Sequence, residues 1–224
     1  KGLVVGQVQS GKTANYIGLI CKAADAGFNF IVVLAGIHNN LRSQTQTRID
    51  ESFLGFDTQY ERAYTINNTT KIGVGLIPGF EKAIANSYTT SKENGDFTKS
   101  AANTAGFNFN TTDPIILVVK KNTTVLKRLY TWLHTQAAHE KITNKSFLLI
   151  DDEADNASIN TNKKDFDPTK INENIRKIIS LFNRSAYVGY TATPFANIFI
   201  PLDEQDNLFP RDFIINLPAP SNYI

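Results

Sequence analysis

Short apolar runs alternate along this chain with longer segments in which apolar side chains recur at helical spacing. The runs at 3–5, 30–35, 115–119, 147–150 and 186–190 are continuously apolar rather than alternating, which predicts strands buried on both faces. Between the first two, residues 13–26 place Ile17, Ile20, Cys21 and Ala24 on one helical stripe, and Gly27 follows where a helix would end. Residues 123–134 carry a second stripe of Val125, Leu126, Leu129, Trp132 and Leu133, so Trp132 is expected in the core. A third helix is predicted over about 170–182, with Ile171, Ile175, Ile178, Ile179 and Phe182 on its apolar side. Strands and helices in alternation predict an α/β fold, a mainly parallel sheet with helices on both faces.

Two stretches depart from that rhythm. Residues 86–113 are rich in Ser, Thr, Asn and Gly and read as a polar insertion, expected to run over the surface as a mobile loop, with a dedicated binding element as the alternative. After Pro194 the pattern loosens through an acidic turn at 203–206 and a strand-like segment at 213–217 to Pro218 and Pro220, so 201–224 reads as a domain edge.

Composition narrows the class. The 224 residues suit a single domain, and 42% hydrophobic with 20% charged residues is the ordinary globular balance. No apolar stretch approaches the roughly 20 residues needed to cross a bilayer, so no membrane partner is expected. The net charge of +2 identifies no polyanionic partner by itself, so any basic site must be local. The single Cys21 cannot form an internal disulfide and favours a reducing compartment, the cytoplasm by default. Methionine is absent, and the chain is expected to be a fragment of a larger protein.

Three motifs carry chemistry. Gly6, Gln7, Val8, Gln9, Ser10, Gly11, Lys12 and Thr13 fit the P-loop pattern, two glycines separated by four residues and followed by Lys and Ser/Thr. Its glycines let backbone N–H groups wrap phosphate oxygens, and the helix it opens favours anions at its N-terminus. Lys12 would reach the terminal phosphates of ATP, and the Thr13 hydroxyl would ligate Mg²⁺. The run 147–150 then delivers Asp151, Asp152, Glu153, Ala154 and Asp155. P-loop enzymes need such a cluster: one Asp for the metal, and a neighbouring Glu to orient or deprotonate the attacking water. The spacing favours Asp152 with Glu153, and Asp151 stays open as the metal residue because it directly ends the apolar run. The third motif is Thr191-Ala192-Thr193-Pro194 at the end of another buried strand. His38, His134 and His139 show no spacing that supports zinc.

In this order the P-loop, Asp-Glu-Ala-Asp and Thr-Ala-Thr-Pro resemble motifs I, II and III of superfamily 2 helicases and translocases, particularly those of restriction enzymes. More closely, 6–13, 35–46 (AGIHNNLRSQTQ), 151–160 (DDEADNASIN) and 187–199 (YVGYTATPFANIF) resemble the Z-one domain family of endonucleases. The likeness spans most of the chain and implies a RecA-like P-loop NTPase fold, the first of two such domains in a DNA-dependent ATPase. It implies that Asp155, Thr191 and Thr193 couple the nucleotide site to a nucleic-acid path. By the same resemblance Asn39, Asn40 and Arg42 would hold nucleic-acid backbone, with a helix cap and solvated face as the equal alternative. Lys121 and Asn122, leaving the strand at 115–119, stand where a further backbone contact is expected, although paired lysines are commonly just solvated.

The sequence also departs from the family pattern. The interval between Lys12 and Asp152 is long for a minimal helicase core, and 86–113 is the apparent surplus. No second motor domain with its arginine finger and no separate nuclease carboxylate cluster can be picked out. A P-loop ATPase acting on protein or small molecules, or a nucleotide-binding module without turnover, are the rival readings.

Overall fold

The computed structural model describes residues 1–7, 10–64, 69–137, 140–155, 168–194 and 208–218. Its strands are β1 (Gly2–Val5), β2 (Phe30–Ala35), β3 (Asn86–Ser87), β4 (Ile115–Val119), β5 (Ile142–Asp152), β6 (Phe182–Thr191) and β7 (Phe213–Asn216). They form one sheet in the order β3-β4-β2-β5-β6-β1-β7, and each neighbouring pair is parallel. The helices are α1 (Lys12–Asp25), α2 (Asn39–Ile49), α3 (Lys99–Asn103), α4 (Thr123–Gln136) and α5 (Pro168–Ser180), and α2 runs on into a π-helical turn at Asp50–Leu54.

The continuous apolar runs are explained by strand parity, since successive side chains face opposite sides of the sheet. Phe30, Val32 and Leu34 of β2 pack with Leu117, Phe147 and Leu149 and with the stripes of α4 and α5. Ile31, Val33 and Ala35 pack on the other side with Ile116, Val118 and Ile150, beside Tyr16 and Ile20 of α1 and Ile49 of α2. Both faces are covered, as the alternation of elements predicts. Each β2 residue is at most 2% exposed, which a strand with one wet face could not show.

β5 and β6 begin earlier than their apolar runs. Each opens on a buried apolar residue, Ile142 and Phe182, followed by polar residues several of which are exposed, and the pairing shifts register between Ile142 and Ser146, so the continuous apolar runs mark only the later halves. β7 adds to the outer side of β1 within the predicted 213–217 segment; Phe213, Ile214 and Ile215 are exposed there. Gly2 lies opposite Phe213, where a Cβ would stand 2.0 Å from the ring.

The stretch 86–113 is not the surface excursion its composition suggests. β3 pairs with β4, Thr98 caps α3 by accepting from the Ala101 N–H, and Tyr88, Phe97 and Phe109 are at most 4% exposed. These three rings surround Trp132 of α4 with centroids 5.1, 5.4 and 5.5 Å away. A few aromatic anchors therefore tie a polar segment to the core, since each buries as much apolar area as several aliphatic groups. Trp132 itself is core, as its stripe predicts. Among the described residues no helix is long and apolar enough to cross a membrane.

Candidate functional site

α1 starts where the glycine-rich turn ends. Gly11 precedes it at φ 76°, a left-handed conformation that costs a residue with a side chain roughly 1–2 kcal/mol. At Gly6 space is tight instead, because a Cβ there would lie 2.4 Å from Ser10 Oγ, which would have to turn aside. The turn closes with the Ser10 N–H donating to the Gln7 carbonyl at 3.0 Å. Lys12 Nζ folds over the turn and donates to the carbonyls of Gly6 at 2.8 Å and Gln7 at 3.0 Å. Val8 and Gln9, also assigned to the loop from sequence, lie outside the described residues.

Parity along β5 separates the two aspartates. Leu148 and Ile150 face α1, so Asp152 does too, and it lines a cleft of about 890 Å³ together with Lys12, Thr13, Glu153 and Asp155. Asp151 points to the opposite face, where Lys121 Nζ meets its carboxylate at 2.5 Å and the Tyr187 hydroxyl donates to it at 2.8 Å. Of the two, Asp152 is the one the fold presents to Lys12 and Thr13. Burial, then the adjacent Glu153, push its carboxyl above the ordinary range. Glu153 follows with φ 56°, the one residue other than glycine among those described with positive φ. Lys121 Nζ donates to its carbonyl at 2.5 Å and its N–H donates to Asp152 Oδ1 at 3.1 Å. Strained backbone of this kind persists where neighbours over-determine it.

The third motif closes the cleft. Thr191 Oγ1 donates to Asp155 Oδ1 at 2.8 Å, Thr193 Oγ1 donates to Asp155 Oδ2, and the Thr193 N–H donates to Thr191 Oγ1 at 2.9 Å. The Gly6 N–H donates to the Thr191 carbonyl at 2.9 Å, so the exit of β1 and the end of β6 are joined directly. One residue earlier, the Tyr190 hydroxyl donates to Asn15 Oδ1 of α1 at 2.8 Å. All three motifs are thus brought together at the carboxyl ends of the strands, where open α/β sheets place their ligands.

The expected nucleic-acid contacts fare differently. Arg42 is 0% exposed, and its guanidinium donates to the carbonyls of Val118 and Lys92. Lys121 is buried in its pair with Asp151, and Asn122 caps α4 by accepting from the N–H groups of Thr124 at 3.0 Å and Val125 at 3.1 Å. These three are corrected to structural roles: each faces inward because the strand ends and helix starts around it have donors or carbonyls to satisfy. Asn40 is exposed, and Asn39 Oδ1 accepts from Lys120 Nζ at 2.9 Å, so Lys120 is the more exposed lysine of the pair.

Sequence reasoning missed Arg48, which lines the same cleft and whose Nη1 donates to Thr13 Oγ1 at 3.3 Å. It sits in a polar helix with no motif spacing to flag it. The glycine cradle, Lys12 and the Thr13–Asp152 oxygen pair fit a nucleoside triphosphate with magnesium, a cation that keeps several waters and takes few protein ligands. No group of three or more His, Cys, Asp or Glu side chains that could hold a metal ion occurs among the described residues.

No protein-family model matches the chain, and no curated protein matches it significantly. Among solved structures it is similar to the helicase domain of Pyrococcus furiosus Hef, with a TM-score of 0.51 at 13% identity. The match covers 96% of this chain and 34% of that one, so the chain spans about a third of its neighbour's length. The all-parallel sheet, its covered faces and this neighbour together show a RecA-like α/β fold.

Proposed function

We propose that these residues form the first motor domain of a superfamily 2-like ATPase that binds ATP with Mg²⁺ and acts on DNA, in a Z-one-type restriction or defence endonuclease. The observation that supports this best is the convergence of Lys12, Thr13, Asp152 and Glu153 on one cleft, with Asp155 bonded to Thr191 and Thr193 at its edge. Lys12 would turn from the loop carbonyls to the terminal phosphates, and Thr13 and Asp152 would hold the metal. The bound ion would supply charge neutralisation of the phosphates. Glu153 would take a proton from the attacking water, held in position by its left-handed backbone. The DNA and endonuclease context rests on the motif resemblance.

A second motor domain would complete the cleft, because an arginine supplied to the transferring phosphate is worth about 10³–10⁵ in rate. These 224 residues alone should therefore bind nucleotide weakly and turn over very slowly, and robust turnover would contradict the two-domain reading. In the intact protein Lys12→Ala should abolish ATPase activity, and Glu153→Gln should preserve binding while blocking hydrolysis. Unchanged turnover in Glu153→Gln would remove Glu153 from the mechanism. Failure of DNA to stimulate the intact enzyme would instead favour a motor acting on protein or small molecules.

A further inference from the structure

We infer that Arg48 is a phosphate-binding residue of the nucleotide cleft, supplied by this domain to its own P-loop. The inference rests on the nucleotide-binding reading above and adds a ligand that no P-loop or acidic motif contains.

Three observations carry it. Arg48 Nη1 lies 3.3 Å from Thr13 Oγ1, so the guanidinium already reaches the hydroxyl beside which the terminal phosphates must sit. It lines the cleft together with Lys12, Asp152 and Glu153, on the wall formed by the end of α2 and the following turn, which also contributes Ser52. Its backbone is held on both sides: Gln46, Ile49 and Asp50 are at most 1% exposed, and Gln46 Nε2 donates to Asp50 Oδ1 at 2.9 Å. Arg48 is thus an exposed cation on a fixed stem, standing on the wall of the cleft with its guanidinium at Thr13. Among the described residues its recorded hydrogen bond is to Thr13, a neutral hydroxyl, and no carboxylate lies within ion-pair distance.

The chemistry favours phosphate over the other parts of a nucleotide. The cleft holds the carboxylates of Asp152, Glu153 and Asp155, and Lys12 is the single P-loop cation opposite them. A triphosphate with one magnesium remains anionic, so a second fixed cation near Thr13 improves the balance. A guanidinium also presents a planar fork that matches two phosphate oxygens, which Lys12 as a point charge cannot.

The test is nucleotide affinity, measured by calorimetry with Mg²⁺ and ATP, ADP or AMP on the wild type, Arg48→Ala, Arg48→Lys and Lys12→Ala. Arg48→Ala should weaken ATP at least about tenfold with AMP unchanged within about twofold, since a hydrogen bond between two charged groups is among the stronger ones. Arg48→Lys should recover part of the loss. The side chain is exposed, so the thermal midpoint should not move. Two results would overturn the inference: ATP affinity unchanged in Arg48→Ala while Lys12→Ala loses it, or AMP weakened as much as ATP. Unchanged ATP affinity in Lys12→Ala would overturn the nucleotide reading itself, and the role of Arg48 with it.

Discussion

Lys121 and Asp151 form an ion pair of 2.5 Å in which both side chains are 2% exposed, directly behind the acidic motif. Neither charge has water to fall back on, and the pair is completed by the Tyr187 hydroxyl and the Glu153 carbonyl. Removing one partner leaves the other charge buried and alone, which costs about 3–5 kcal/mol, more than the net worth of the intact pair. Lys121→Met and Asp151→Leu should each lower stability by that amount in urea denaturation. The double variant should be more stable than either single one. Equal loss in all three would mean the pair is not what the site depends on.

Asp155 receives both Thr191 and Thr193, and Thr191 also holds Gly6 through its carbonyl. A displacement at the P-loop therefore has a direct mechanical route to the end of β6. Thr191→Val keeps the shape of the side chain and removes its donor to Asp155, so the route is weakened while the cradle around the phosphates is untouched. ATP affinity should stay within about threefold of wild type, and hydrolysis in the intact protein should fall at least tenfold, a difference of about 1.4 kcal/mol or more in the barrier. Affinity and turnover falling together would show that Thr191 supports the fold of the site rather than its coupling.

Trp132 is the hub on which 86–113 is fastened, through Tyr88, Phe97 and Phe109. Replacing a buried aromatic by alanine costs about 3–5 kcal/mol, and here the loss should concentrate on one segment. Trp132→Ala should show faster proteolysis within 92–113 than elsewhere, read by mass spectrometry of early fragments. Cleavage spread evenly over the chain would mean that the segment is held by its hydrogen bonds instead.

What could be read from residues alone divides along a physical line. Strands β2 and β4 match their apolar runs residue for residue, because a strand buried on both faces has no polar positions to blur its ends. Lys12, Asp152, Glu153 and Thr191 meet in the cleft because the α/β topology carries each strand's carboxyl end to the same side. Arg42 and Lys121 could not be placed correctly, since a buried charge satisfied by carbonyls or a carboxylate looks in sequence like a solvated one, and Asn122 is taken up instead as the N-cap of α4. Arg48 was invisible for the converse reason. It reaches the site from the end of α2, beyond the 35–46 stretch that carries the resemblance, and only packing decides which polar residues there line the cleft.

Asp50 supplies a pH dependence whose sign follows from opposing causes. Its carboxylate is 1% exposed; Gln46 Nε2 donates to Oδ1 at 2.9 Å, and the Thr58 N–H and Oγ1 donate to Oδ2 at 3.1 and 2.6 Å. The donors favour the ionised form, but burial outweighs them and pushes the group up to about 7. A carboxyl raised on folding binds its proton more tightly in the native state. Its contribution to stability is full below the ordinary Asp range near 3.8 and is lost as pH rises through about 7. Between those limits the slope approaches about −1.4 kcal/mol per pH unit, and it flattens above about pH 8. Asp96 and Asp152 are also raised by burial, so the clean readout is the difference between wild type and Asp50→Asn. Urea unfolding from pH 5 to 9 should show wild type losing stability relative to Asp50→Asn up to about pH 8 and holding a constant difference beyond. A difference that is flat across the range, or that grows in favour of wild type as pH rises, would show that the three donors win and that Asp50 is ionised in the native protein.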